Sequence, residues 1–347
     1  MIGWPEPPEG FAALREVSAR FGLDPMHVQG AGGNSSIKSS DVMWIKASGT
    51  LLAQATERDV FVATDLAKMR AALAVRDKRA DQPADFLLPG GTGLRPSIET
   101  SLHAVFPHPV VLHTHCVHTL AHAVRQDMAG LLAPRLDGFA WTHVDYAKPG
   151  ATLARNVEMA LRPGTNVVIL GNHGLIVAGA SAAEVADLQE RVHAALFVPV
   201  TKASEPDLTA LAKIALDSDY APADDTALHQ LALDPDRVSQ VSAGSLYPDH
   251  VIFCGIAVPV MGPSETPEQV ATRYHDQGAP SPVWMLVPGL GVLVRRDAST
   301  PARIMMRCLA DVMARVPGGA QLSYLTTEQN LELLDWDAEK YRQRLNA

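Results

Sequence analysis

Val110-Val111-Leu112-His113-Thr114-His115-Cys116 is an apolar run that carries two histidines two residues apart, with Pro107 and Pro109 just upstream. Its β-branched and leucine residues predict a buried strand. Successive side chains of a strand point to opposite faces, so His113 and His115 share one side, close enough to hold one ion. A third histidine, His173, lies in Gly171-Asn172-His173-Gly174 between the apolar runs 167–170 and 175–177, and Glu99 stands upstream in Arg95-Pro96-Ser97-Ile98-Glu99. Imidazoles buried on one face need partners for their ring nitrogens. Three histidines and a carboxylate in such settings predict a catalytic metal site. Zn2+ suits it first, because neutral imidazole binds zinc and three protein ligands leave a position for substrate; another divalent metal would fit the same donors. Cys116 faces away from both histidines and is not taken as a ligand of that site.

The 347 residues are long for one core, and two domains are expected. The chain is 47% hydrophobic and 19% charged, which argues for a globular protein rather than a disordered one. A net charge of -9, with no basic run, speaks against nucleic-acid binding. Cys116, Cys254 and Cys308 are odd in number and show no C-x-x-C spacing, the pattern of a reduced intracellular protein. No segment reaches membrane-spanning length and the N-terminus has no signal-peptide pattern, so a cytoplasmic location is expected. Gly30-Ala31-Gly32 lacks the third glycine and following helix of a dinucleotide fingerprint.

In chain order, residues 9–21 predict a helix, and 28–46 a hairpin interrupted by the Gly/Ser/Asn-rich segment 30–36. Thr64–Ala74 predicts a helix capped by Thr64. Another is expected from Pro96-Ser97, with Glu99 and His103 one turn apart on it. His118 and His122 lie at i, i+4 on the helix after the histidine strand and are expected to be satisfied core or surface residues. Ser181-x-x-Glu184 reads as a capping box opening a helix. Residues 201–237 are expected to connect a domain over 1–200 to a smaller one over 238–347. Laid without gaps on 166–196, residues 283–313 repeat the order strand, glycine turn, strand, helix; Gly291 falls on Gly174 and Leu290 on His173. The pattern is that of a degenerate copy that has lost the ligand, or of two hairpin-helix units alike by chance.

Taken in order, G-G-N-S-S (32–36), K-A-S-G-T (46–50), P-S-I-E (96–99), H-T-H (113–115), Tyr146 in Y-A-K-P-G and G-N-H-G (171–174) resemble the class II aldolase/adducin family. The likeness runs from about residue 12 to 198. The wording of W-I-K-A-S-G-T and R-P-S-I-E-T-S-L-H is most similar to the aldolase half of bifunctional rhamnulose-1-phosphate aldolase/dehydrogenases. The resemblance implies an α/β fold of α/β/α layers around a mainly antiparallel sheet, with a smaller C-terminal α/β region. It implies zinc on His113, His115 and His173, and Glu99 as acid/base and as a fourth ligand until substrate displaces it. Gly33, Asn34, Ser48, Gly49 and Ser97 would form the phosphate or polar-substrate pocket, and Tyr146 would donate a proton to the aldehyde or alkoxide oxygen. The family often has two serines before the glutamate; here the second is Ile98, which removes one hydroxyl donor.

That chemistry is retro-aldol cleavage of a ketose phosphate or related hydroxy-ketone. It leaves an enediolate whose charge a chelating divalent ion stabilises, while an adjacent carboxylate moves the proton. Pentulose-phosphate 4-epimerases and a thiosugar-phosphate dehydratase use related constellations, and an adducin-like module would keep the fold as a non-catalytic oligomerisation element. The expected partners are a small-molecule substrate and further copies of the chain, a tetramer by resemblance, with neither nucleic acid nor membrane.

Overall fold

The computed structural model describes residues 4–91, 93–200 and 205–335. Its contacts divide the chain into two compact units, Met1–Ala123 with Met128–Phe197, and Val124–Asp127 with Val198–Ala347.

The first unit is built on a seven-stranded sheet. Its strands are β1 (Asn34–Ser39), β2 (Val42–Lys46), β3 (Phe61–Asp65), β4 (Val110–Thr114), β5 (Trp141–Val144), β6 (Val167–Leu170) and β7 (Gly174–Gly179). They lie in the order β3-β2-β1-β4-β7-β6-β5. Every neighbouring pair is antiparallel except β5 with β6, so the sheet is mainly antiparallel. The histidine strand is therefore β4, at the centre and paired on both edges.

Alternation along β4 divides the core in two. Val110, Leu112 and Cys116 join one buried cluster with Leu14, Phe21, Val177, Val185 and Val192. These bring α1 (Phe11–Gly22) and α7 (Ala182–Ala195) onto one face of the sheet. Val111 belongs to the opposite cluster, with Met43, Met69, Leu102, Val157 and Ile176. There α2 (Leu66–Ala74), α3 (Thr100–Ala104) and α6 (Ala151–Ala160) cover the other face. Full burial of each large aliphatic side chain contributes about 1.5–3 kcal/mol. Helices α4 (Val117–Ala123) and α5 (Met128–Arg135) complete the unit.

Two helix starts differ from expectation. Strand β3 runs through Thr64, and it is the Asp65 carboxylate that caps α2 by accepting from Lys68 N at 2.9 Å. Helix α3 begins at Thr100 rather than at Pro96-Ser97. Pro96 forms a bridge with Ala47, and Ser97 Oγ accepts from Glu99 N at 3.2 Å, which holds 96–99 out of the helix. Ser181 caps α7 through Glu184 N, but the Glu184 carboxylate reaches back to Ala180 N rather than closing the box on Ser181.

The second unit holds a three-stranded sheet, β8 (Tyr220–Pro222), β9 (Trp284–Val287) and β10 (Gly291–Arg295), in the order β8-β10-β9 and antiparallel throughout. Its helices are α8 (Leu208–Ile214), α9 (Thr226–Leu233), α10 (Pro235–Ser242), α11 (Pro248–Cys254), α12 (Pro267–Asp276), α13 (Thr300–Met313) and α14 (Thr327–Leu334). The segment 205–237, expected as a connector, supplies α8, the edge strand β8 and α9 to this unit, with Leu211 and Tyr220 in its core; residues 201–204 lie outside the described residues. Hairpin β9–β10 followed by α13 has the boundaries of β6–β7 followed by α7, displaced along the chain to within a residue or so. Both returning strands open on a positive-φ glycine, Gly174 at φ 154° and Gly291 at φ 147°.

Candidate metal centre

Pairing across the sheet gathers the site. Asn34 at the start of β1 lies directly opposite His113. On the other edge of β4, His113 faces Ile176 of β7, which brings the turn preceding β7 alongside His115. In that turn Asn172 takes φ 54°, a conformation asparagine tolerates, and Gly174 packs where a Cβ would stand 2.4 Å from Thr114 O. Only glycine lets the chain approach so closely, and the approach delivers His173.

One ring nitrogen from each of His113, His115 and His173 lies within 4.8 Å of the other two, and all three residues are buried. His113 Nδ1 donates to Leu175 O at 3.0 Å, which leaves Nε2 as the lone-pair nitrogen. That Nε2 stands 3.1 Å from His115 Nε2 and 3.4 Å from Glu99 Oε2, while Glu99 Oε1 is 3.4 Å from His173 Nε2. Zinc–nitrogen bonds of 2.0–2.1 Å in a tetrahedron put donor atoms about 3.3 Å apart. The observed separations match that span. Glu99 Oε1 is buried and has no hydrogen-bond partner, so it too is available to an ion. The residues present fit a divalent metal.

Burial pushes the Glu99 carboxyl up, but the imidazoles of His113, His173 and His115 and the Asn34 amide together outweigh it and hold the pKa at about 2. Glu99 is therefore a carboxylate at neutral pH, able to bind a cation or accept a proton.

Of the expected pocket residues, Asn34, Ser97 and Gly33 stand against Glu99 or His113. Asn34 Nδ2 donates to Glu99 Oε2 at 2.8 Å and to Ser97 Oγ at 3.2 Å. Ser48 comes beside Ser97 because the bridge between Ala47 and Pro96 is flanked by bonds from Ser48 N to Arg95 O and from Ser97 N to Lys46 O. Gly33 and Gly49 both hold positive φ, at 61° and 75°, and a Cβ on Gly33 would meet His113 O at 2.9 Å. Tyr146 is half-buried in the loop after β5, its backbone nitrogen against Gly171 of the His173 turn.

Three further residues shape the site. His103, fully buried, bonds Ser36 Oγ through Nδ1 at 2.7 Å and Asn34 Oδ1 through Nε2. It thereby fixes which end of the Asn34 amide faces Glu99. Burial and the nearby Lys38 push its pKa down to about 3, so the ring is neutral. Lys46 donates to Ala31 O and Gly33 O, tying down the glycine loop. Strand register brings Ser36 and Lys46 to the centre, and α3 brings His103, four residues after Glu99. Of the i, i+4 pair, His122 is buried and donates to Leu196 O at 3.2 Å, and His118 is buried against His193 and Phe197.

The profile of the Class II Aldolase and Adducin N-terminal domain matches residues 12–198, more than half of the chain. The chain belongs to that family. Among relatives of this class II aldolase-family chain, an uncharacterised oxidoreductase of Bacillus subtilis, YuxG, is 31% identical over 194 residues, 50% of this chain but only 27% of its own length. The L-fuculose phosphate aldolase of Methanococcus maripaludis is 27% identical over 169 residues, covering 46% of this chain and 80% of that protein. The solved N-terminal class II aldolase domain of a Thermoplasma acidophilum protein is 24% identical, with a TM-score of 0.49, over 56% of this chain and 97% of that one. Among the described residues no helix is long and apolar enough to cross a membrane.

Proposed function

We propose that the chain is a metal-dependent aldolase that cleaves a ketose phosphate or a related hydroxy-ketone, with His113, His115 and His173 holding Zn2+ or another divalent ion. The reading rests on one observation, the three imidazole nitrogens and the Glu99 carboxylate converging at ligand spacing. An ion held there supplies a Lewis acid for the negative charge that develops as the carbon–carbon bond breaks. Glu99, a carboxylate at rest, accepts and returns the proton that the cleavage moves. Asn34 orients it, and with Gly33, Ser48, Gly49 and Ser97 offers backbone and side-chain donors to the polar end of the substrate. Tyr146, in the loop beside the His173 turn, is the candidate proton donor to the aldehyde or alkoxide oxygen. The proposed setting is cytoplasmic and homo-oligomeric.

The test uses the purified full chain. Metal content is measured alongside aldehyde release from a panel of ketose phosphates and unphosphorylated hydroxy-ketones. His113→Ala is expected to lose the ion of this centre and turnover together; a fully active variant without that ion overturns the assignment. Epimerised or dehydrated product without aldehyde would move the reaction to those chemistries, and a metal-free chain inert to the whole panel would leave a scaffold.

A further inference from the structure

On the α1/α7 face of the sheet, away from the first centre, a second group of donors meets. We infer that His27, Cys116 and His193 form a second metal site, for a thiophilic cation of the Zn2+ class. One ligand atom from each lies within 4.8 Å of the other two. The three come from separate parts of the unit: His27 from the turn after α1, Cys116 from the link between β4 and α4, His193 from the last turn of α7. Cys116 Sγ stands 3.4 Å from His193 Nδ1, and the His27 and His193 rings are 4.3 Å apart between centroids. With bonds of 2.3 Å to sulfur and 2.0–2.1 Å to nitrogen, a tetrahedral ion places those donors about 3.6 Å apart. The sulfur–nitrogen pair already stands near that distance.

The surroundings resemble those of a ligand set rather than of chance packing. Metal-bound imidazoles are characteristically held through their other nitrogen. Gln189, one turn before His193 on α7, places its amide 2.9 Å from His27 Nδ1 and 3.1 Å from Thr114 Oγ1, while its Oε1 is buried with no hydrogen-bond partner. Turning that amide over would let Oε1 accept from the imidazole, the orientation a metal-bound ring demands. Apolar neighbours, Phe21 against His27 among them, close the rest of the site. His193 is only half-buried and offers the way in from solvent, and the His118 ring stands 4.7 Å from it as a third imidazole. A thiolate with imidazoles selects soft or borderline cations over magnesium or calcium. When the metal–sulfur bond forms, the thiol proton passes to solvent, and no redox change is involved.

Cobalt separates the two sites, because only this one contains sulfur. The full chain, stripped of metal and titrated with Co2+, is expected to take up two ions and to develop a near-ultraviolet thiolate-to-cobalt charge-transfer band. Cys116→Ser should abolish the band and lower the stoichiometry from two to one. His193→Ala, a half-exposed helix position that leaves β4 untouched, should weaken or abolish the band with the helical circular dichroism retained, and it carries the test if the serine variant fails to fold. Absence of the band in the unaltered chain, or its persistence in Cys116→Ser, overturns the site. Because the readout is the sulfur band, it stands or falls independently of the first centre.

Discussion

Gly174→Ala tests how the turn before β7 sets the metal centre. A Cβ at this residue would lie 2.4 Å from Thr114 O and 3.4 Å from His113 Cε1. Carbon–oxygen contacts close at about 3.3 Å, so β7 would have to retreat from β4 by about 1 Å. The obstacle is main chain in a central strand paired on both edges, so no side-chain rotation relieves it. Over-packing of this kind costs about 1–3 kcal/mol, and a side chain at a φ of 154° adds roughly 1 kcal/mol or more of backbone strain. A loss of about 2–4 kcal/mol in denaturant unfolding is expected. His173 moves with the turn, and a 1 Å displacement of a positioned group can cost about 100-fold in function. Zinc affinity measured by chelator competition should fall accordingly. Gly130→Ala supplies the control, since a Cβ there, inside α5, meets nothing within 4 Å and φ is not positive; that variant should gain about 0.5–1 kcal/mol. Unchanged stability and zinc affinity in Gly174→Ala would refute the close-approach account of the site.

Removing the His103 ring in His103→Leu strands Asn34 Oδ1 and Ser36 Oγ in a fully buried place, at about 1–3 kcal/mol per stranded group. The denaturation midpoint should drop and turnover should fall, with partial recovery in His103→Gln; a silent His103→Leu removes the ring from any orienting role. Burial in the second unit pushes the His250 pKa down from 6.5 to about 4. The unfolded chain therefore takes up this proton first, so the stability contribution is complete above pH 6.5 and is lost as pH falls toward 4, by about 3 kcal/mol in all. Denaturation curves across that window should flatten in His250→Phe, and an unaltered pH slope would count against a buried neutral ring. Adding Zn2+ at about 100 times its dissociation constant should raise stability by about 2.7 kcal/mol. Thermal melts should show a larger rise in the unaltered chain than in His113→Ala, which keeps only the second group of donors; equal shifts in both would place the ion elsewhere.

The histidine strand was legible because alternation is a local property: the faces of His113, His115 and Cys116 follow from residue parity alone. The antiparallel central sheet followed from the family likeness. Helix starts were less legible where two capping residues compete. Thr64 and Asp65 both qualify, and only the length of β3 selects Asp65. Pro96-Ser97 has the composition of a helix N-terminus, but its bridge to Ala47, nearly fifty residues away, keeps it extended. Such a contact leaves no local trace. Strand β8, at three residues, is too short to display an alternation, so its acidic neighbourhood reads as linker. In the site, the ligands stand out as residue types. The supports stand out less: lysine on a strand and histidine on a helix ordinarily face water, and it is tertiary packing that turns Ser36, Lys46 and His103 inward, although the spacing of His103 from Glu99 was visible.

Gly174 and Gly291 hold nearly the same backbone angle at the head of a returning strand. A conformation that admits no side chain makes the preceding residue the last on the turn able to project toward the adjoining strand. That residue is His173 in one hairpin and Leu290 in the other, where it packs against apolar neighbours. Main-chain form and coordination chemistry are thus set separately at this spot: one exchanged side chain would remove or supply a ligand without rebuilding the scaffold beneath it.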